Sequence, residues 1–168
     1  MQQVSADSDT IYAVNISCGS LHDKAFLDWL YRNMALNTAI ARRPFFEFPE
    51  FAVVSNLEAA KTAISRLHEL GCRCSIDHFG RGFTSFSYLC SLRLHCVKID
   101  GFYIRNIQDN PDNRFFVQAL TRTLHGIDIQ VIAENVESEP ERSVLSELQI
   151  DGIQGHLTGK PSVLLSGS

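Results

Sequence analysis

Leu94-His95-Cys96-Val97-Lys98-Ile99-Asp100 alternates polar and apolar side chains, as a strand does, and ends on a carboxylate. A helical pattern follows over Asp112 to Leu124 and is closed by Gly126; a second alternating run, Ile127 to Glu134, again ends on a carboxylate. Two strands joined by a helix form a βαβ unit, the crossover that connects parallel strands. Working outward, the same pattern predicts strands over Ile11 to Ser17, Pro44 to Glu50, Cys72 to Asp77 and Gly152 to Gly155. Helices are predicted over Asp23 to Leu36, Asn56 to Leu70, Ser85 to Leu92 and Glu139 to Leu148. Ser55 with Glu58, and Ser138 with Glu141, have capping-box spacing; Pro140 fits a first turn and Gly71 a helix end.

Read with period two, each strand has one apolar face and a second face that ends in a polar residue at the C-terminal end. Tyr12, Val14 and Ile16 oppose Asn15, and Phe46 and Phe48 oppose Glu47. Cys72, Cys74 and Ile76 oppose Asp77; Val97 and Ile99 oppose Lys98 and Asp100. Polar ends on six strands in succession suit a (β/α) barrel, whose strand ends ring one mouth, better than a doubly wound sheet with a single switch point. A full barrel takes eight strands and typically ~250 residues, whereas this chain has 168. The fold class predicted is therefore α/β, a partial TIM-like (β/α) barrel of about six βα units. The chain is read as a single domain over 1–168, with the first barrel strands expected to lie before Met1.

Composition narrows the function. With 45% hydrophobic residues, 20% charged residues and 5 prolines, the chain is that of a folded domain. A formal charge of −4 argues against broad binding to double-stranded nucleic acid or anionic membrane, while leaving room for a single nucleotide at a local basic group. No apolar run approaches the ~20 residues of a membrane helix, and Met1 to Asp9 is polar and acidic, so neither membrane insertion nor a signal peptide is expected. The expected location is cytoplasmic. Cys18, Cys72, Cys74, Cys90 and Cys96 are odd in number with no CxxC pair, and are read as buried reduced thiols. His22, His68, His95 and His125 are read as surface or satisfied core residues, and Trp29, Phe115 and Phe116 as helix packing.

The strand-end set is Asn15, Glu47, Asp77, Lys98, Asp100, Glu134 and Gln154. Carboxylate and amide oxygens suit hard cations such as Mg²⁺ or Mn²⁺ over zinc or copper. Beside a lysine they fit metal-assisted hydrolysis of a phosphate ester. Two other readings stand beside this: carboxylates acting as helix caps or ion-pair partners, and a desolvated Lys98 forming a Schiff base. Gly80-Arg81-Gly82 reads as a phosphate cradle or as a turn.

At these residues the sequence resembles the EAL domain family, Mg²⁺/Mn²⁺-dependent bacterial phosphodiesterases for cyclic di-GMP together with inactive relatives that bind it. The resemblance runs from about Ala13 to Pro161. The family's Asn-x-Ser matches Asn15-Ile16-Ser17, and its Phe-Glu-x-Thr-Glu matches Phe46-Glu47-Phe48-Pro49-Glu50. Its Asp-Asp-Phe-Gly-Thr-Gly matches Asp77-His78-Phe79-Gly80-Arg81-Gly82, followed by Ser85-Phe86-Ser87-Tyr88-Leu89. Its Lys-Ile-Asp matches Lys98-Ile99-Asp100, and its Val-Ile-Ala-Glu-Gly-Val-Glu matches Val131 to Glu137 with Asn135 for Gly. Its Gln-Gly-Tyr-x-x-Gly-Lys/Arg-Pro matches Gln154 to Pro161 with His156 for Tyr.

That resemblance implies Asn15, Glu47 and Asp77 as metal ligands, Lys98 holding the attacking water or a phosphate, and Glu134 as general base or metal-site residue. It implies that Gln154 assists the site, that Asp100 touches a guanine and that Lys160 and Pro161 lie near the second guanine. Homodimer formation of the full-length protein through Phe79 to Tyr88 is also implied, as is a regulatory protein partner. Three departures stand out: no Glu-Ala-Leu occurs in the chain, His78 replaces the second Asp, and Pro49 replaces Thr. They resemble degenerate members that sense cyclic di-GMP in cytoplasmic parts of membrane-bound biofilm regulators. The alternatives are an active phosphodiesterase making linear pGpG, and an interaction module without nucleotide binding.

Overall fold

The computed structural model describes residues 12–36, 44–82 and 86–159. Ile11, Ser85, Lys160 and Pro161, named above, lie outside them. The chain divides into two compact units, residues 1–96 and 97–168.

In the first unit β1 (Ala13–Asn15), β2 (Phe45–Pro49) and β3 (Arg73–Phe79) form parallel ladders in chain order. After β1 come α1 (Cys18–His22), capped by the Ser17 hydroxyl, which accepts from the Ser20 amide, and α2 (Lys24–Leu36). A short α3 (Glu50–Ser55) and α4 (Leu57–Glu69) return the chain to β3. The interior is built by Phe46, Phe48, Ile64, Leu67 and Ile76, each at 2% exposure or less; enclosing such a side chain contributes ~1.5–3 kcal/mol. Gly71 leaves α4 at φ 81°, the left-handed step that glycine makes without steric cost.

Several local expectations shift. Ser55 is not the cap of α4: it ends α3, with its hydroxyl donating to the Ala52 carbonyl, and Asn56 caps α4 by accepting from the Ala59 amide. The amide side chain reaches that N–H one residue later than the spacing of Ser55 and Glu58 implied. Ser85 to Leu92 is predicted as a helix, and the described part is the 3-10 turn Phe86–Ser91. Tyr12 and Val14 are not packed on helices but 39% and 41% exposed. Trp29 is half exposed and stacks on Phe26 rather than entering the core.

The second unit opens with β4 (Cys96–Ile99), then α5 (Gly101–Ile104), the 3-10 turn Ile107–Asp109, α6 (Pro111–His125), β5 (Gln130–Ala133), α7 (Glu139–Glu147) and β6 (Gly152–Ile153). The Glu134 amide donates to the Ile99 carbonyl at 3.1 Å, which ties the ends of β4 and β5 together. β6 is parallel to β5, with Ile132 opposite Gly152. Val97, Ile99, Ile104, Val117, Leu124, Val131 and Ala133 are fully buried. Phe115 is 74% exposed and Phe116 half-buried against Tyr103, so of the two only Phe116 packs. Gly126 is the C-cap of α6 in right-handed conformation; the left-handed step falls at Asp128.

The cysteines are all free. Cys72, Cys74 and Cys96 are buried as expected, but Cys90 is exposed and Cys18 half-buried, because a 3-10 turn and a one-turn helix leave one face to solvent. Burial pushes the thiols up to about 11 at Cys72 and about 12 at Cys74. Of the histidines, His125 donates from Nε2 to Asp151 Oδ2 at 2.8 Å, whereas the buried Nδ1 of His95 has no hydrogen-bond partner among the described residues.

The capping box of α7 is present: the Ser138 hydroxyl accepts from the Glu141 amide, and the Glu141 carboxylate accepts from Ser138 N. The same carboxylate also accepts from Glu137 N and Asn106 N, both at 2.9 Å. Burial raises the Glu141 pKa, but these backbone bonds outweigh it and hold it below 4.5. The folded state therefore keeps the charge that the unfolded chain gives up first. Its stabilisation is fully present above the unfolded value of 4.5 and is lost as pH falls through the lower folded value. In urea titrations at stepped acidic pH, Glu141→Gln should flatten the fall of the midpoint in that window. A variant curve parallel to the wild type would show that this carboxylate is not the linked group.

Among the described residues no helix is long and apolar enough to cross a membrane.

Candidate functional site

In the first unit the ladder register places the predicted ligands. Asn15 is opposite Glu47, Glu47 is opposite Ser75, and Asp77 lies one side-chain repeat further along the same face of β3. Glu47 and Asp77 are buried, at 6% and 7% exposure, while Asn15 is exposed. Between them sits Ser75, whose buried hydroxyl has no hydrogen-bond partner among the described residues. Sequence reading did not single out Ser75, although its period-two placement on the Asp77 face was the available signal.

His78 follows at φ 54°, exposed, with Nε2 3.6 Å from Asp77 Oδ2. Asp77 Oδ1 accepts from the His78 amide at 3.0 Å. Beyond it, the Gly80-Arg81-Gly82 turn does not offer a free amide cradle. The amides of Gly80 and Gly82 donate to Glu50 Oε2 at 3.0 and 3.4 Å, and the Tyr88 hydroxyl donates to Glu50 Oε1 at 3.1 Å. A buried carboxylate thus already takes the two glycine amides. In the sequence Glu50 is only the last residue of a motif; its partners lie thirty residues and more downstream, beyond the reach of spacing rules.

In the second unit Lys98 is buried, and its Nζ donates to Gln154 Oε1 at 3.0 Å, so two predicted residues 56 positions apart meet. Glu134 is buried at the end of β5 and Gln154 is exposed. Asp100, 1% exposed, caps α5 by accepting from the Phe102 amide at 2.9 Å, the capping alternative realised at that residue. Gly155 passes so close to Val136 that a Cβ would fall 2.3 Å from the Val136 carbonyl oxygen. No larger residue fits where the chain leaves Gln154.

A family profile described as EAL domain matches residues 1–161. The chain belongs to the EAL domain family. Cyclic di-GMP phosphodiesterase PdeF of Escherichia coli K12 is 33% identical over 154 residues, 92% of this EAL domain chain and 21% of PdeF. Signaling protein YkoW of Bacillus subtilis is 33% identical over 153 residues, 91% of the chain and 19% of YkoW. The chain thus spans about a fifth of the curated relatives it matches. Among solved structures, the PaMucR phosphodiesterase in complex with cyclic di-GMP superposes with a TM-score of 0.86 at 25% identity, over 94% of this chain and 64% of that one. The FimX EAL domain of Pseudomonas aeruginosa bound to cyclic di-GMP gives 0.82 at 29% identity, over 91% and 63%. The fold is the partial TIM-like (β/α) barrel that the strand pattern predicted.

Proposed function

We propose that this EAL domain recognises cyclic di-GMP and reports its presence, without hydrolysing it at a useful rate. The observation that carries the second half is His78. Where the family pattern has a second aspartate, an exposed imidazole lies beside Asp77, exchanging an anionic oxygen for a nitrogen that hard cations bind poorly. Asn15, Glu47 and Asp77 fit a divalent cation in donor type, and the unpartnered Ser75 hydroxyl on their face adds a polar atom for a bound water or ion. A bound Mg²⁺ or Mn²⁺ would supply an activated water and polarise a phosphoryl oxygen.

The other residues take roles as this chain's own groups. Lys98, oriented by Gln154, neutralises a phosphate oxygen, and Glu134 accepts a proton if water attacks. Asp100 shapes the rim as the buried cap of α5, and contact with the second guanine is assigned to Lys160 and Pro161. In the whole protein, pairing of two copies through Phe79 to Tyr88 belongs to the same reading, with a regulatory protein as listener; sedimentation at high concentration tests the pairing.

Calorimetry with cyclic di-GMP should show saturable binding, and product analysis in Mn²⁺ should show no linear pGpG above the blank. Turnover in Mg²⁺ or Mn²⁺ that Glu134→Ala abolishes would replace this reading with the active phosphodiesterase. Absence of binding would leave an interaction module.

A further inference from the structure

The ends of β4 and β5 lie side by side through the bond from Glu134 N to the Ile99 carbonyl, so Asp100-Gly101 and Glu134-Asn135 leave the sheet together. Asn135 stands at φ 56°, a region glycine enters freely and asparagine tolerates. Its side chain is exposed and makes no hydrogen bond among the described residues. It lies across Gly101: a Cβ at that buried glycine would fall 2.5 Å from Asn135 Nδ2 and 2.7 Å from Asn135 Cβ. A glycine at 135 would adopt the same backbone at lower steric cost. Asparagine adds two donors and one acceptor next to the strand ends that carry Asp100 and Glu134.

We propose that Asn135 is a base-reading residue whose amide hydrogen-bonds the edge of a purine held at this rim, with Gly101 as the positioning residue that leaves room for it. The inference rests on the reading that the domain binds cyclic di-GMP. A purine edge with a neighbouring donor and acceptor is matched by a carboxamide in two bonds. A phosphate offers acceptors alone and would engage only the amide's donors, so the base edge is the partner that uses both ends of the carboxamide.

The test is calorimetric titration of the protein with cyclic di-GMP, using wild type, Asn135→Gly, Asn135→Asp, Gly101→Ala and the double variant Gly101→Ala with Asn135→Gly. Asn135→Gly should bind about tenfold more weakly, and Asn135→Asp more weakly still, because a further carboxylate faces a ligand with two phosphates. Gly101→Ala should lose as much as Asn135→Gly by displacing the amide, and the double variant should lose no more than Asn135→Gly alone. A thermal midpoint of Asn135→Gly at or above that of the wild type shows that the fold is kept. Wild-type binding with an unchanged affinity in Asn135→Gly overturns this inference alone, as do losses that multiply in the double variant. A wild type that binds no cyclic di-GMP overturns the reading beneath it and this inference with it.

Discussion

Glu50→Ala should destabilise the protein and detach the segment after β3, with an expected loss of about 3–5 kcal/mol in stability. Glu50 is 4% exposed, and its two oxygens take the amides of Gly80 and Gly82 and the hydroxyl of Tyr88. Hydrogen bonds to an ionised acceptor contribute ~1.5–3 kcal/mol each, and removing the acceptor strands its donors. Three such bonds on one group do not add fully, since the loop relaxes once the first is gone. Glu50→Gln should fall between, because its carbonyl keeps one set of donors while its NH₂ faces another. Thermal unfolding together with limited proteolysis at residues 79–88 measures both effects. A Glu50→Ala protein with wild-type midpoint and cleavage pattern would show that the carboxylate does not organise this loop. The consequence reaches the site through His78 and Asp77, which the same strand carries into the turn.

Lys98→Ala should lower affinity for cyclic di-GMP by more than about 100-fold, corresponding to the ~2–5 kcal/mol at stake when a buried charge loses its partner. Lys98 is 6% exposed, and its Nζ is held in place by the polar groups around it. Gln154 Oε1 is one of these, at 3.0 Å, and it aims the ammonium. Gln154→Ala should therefore cost less, about tenfold, by loosening the aim while leaving the charge in place. Lys98→Arg should not restore full affinity, since a planar fork does not occupy the volume of a compact ammonium. Equal affinities of wild type and Lys98→Ala in calorimetry would remove Lys98 from the ligand's surroundings and return it to a structural role with Gln154.

The sequence by itself determined the order of the elements along the chain. Alternation ending in Asn15, Glu47, Asp77, Lys98 and Glu134 is a period-two signal that needs only the pleat to be read, and burial of Phe46, Phe48, Ile76, Val97 and Ile99 follows from the same pattern. The capping box at Ser138 and Glu141 was legible for a similar reason, being local to one helical turn. What lay beyond four or five residues was not legible. Glu50 looked like the end of a motif until β2 and β3 paired and brought Gly80, Gly82 and Tyr88 to it. Gly80-Arg81-Gly82 reads as a phosphate cradle or as a turn, because nothing in its spacing says that a carboxylate thirty residues upstream already accepts from it. Lys98 and Gln154 meet across 56 positions, and Asn135 acquires a purpose only where Gly101 leaves space beneath it. Periodicity assigns each side chain to a face, whereas which faces meet, and which charge fills which hole, is decided by packing of segments remote in sequence.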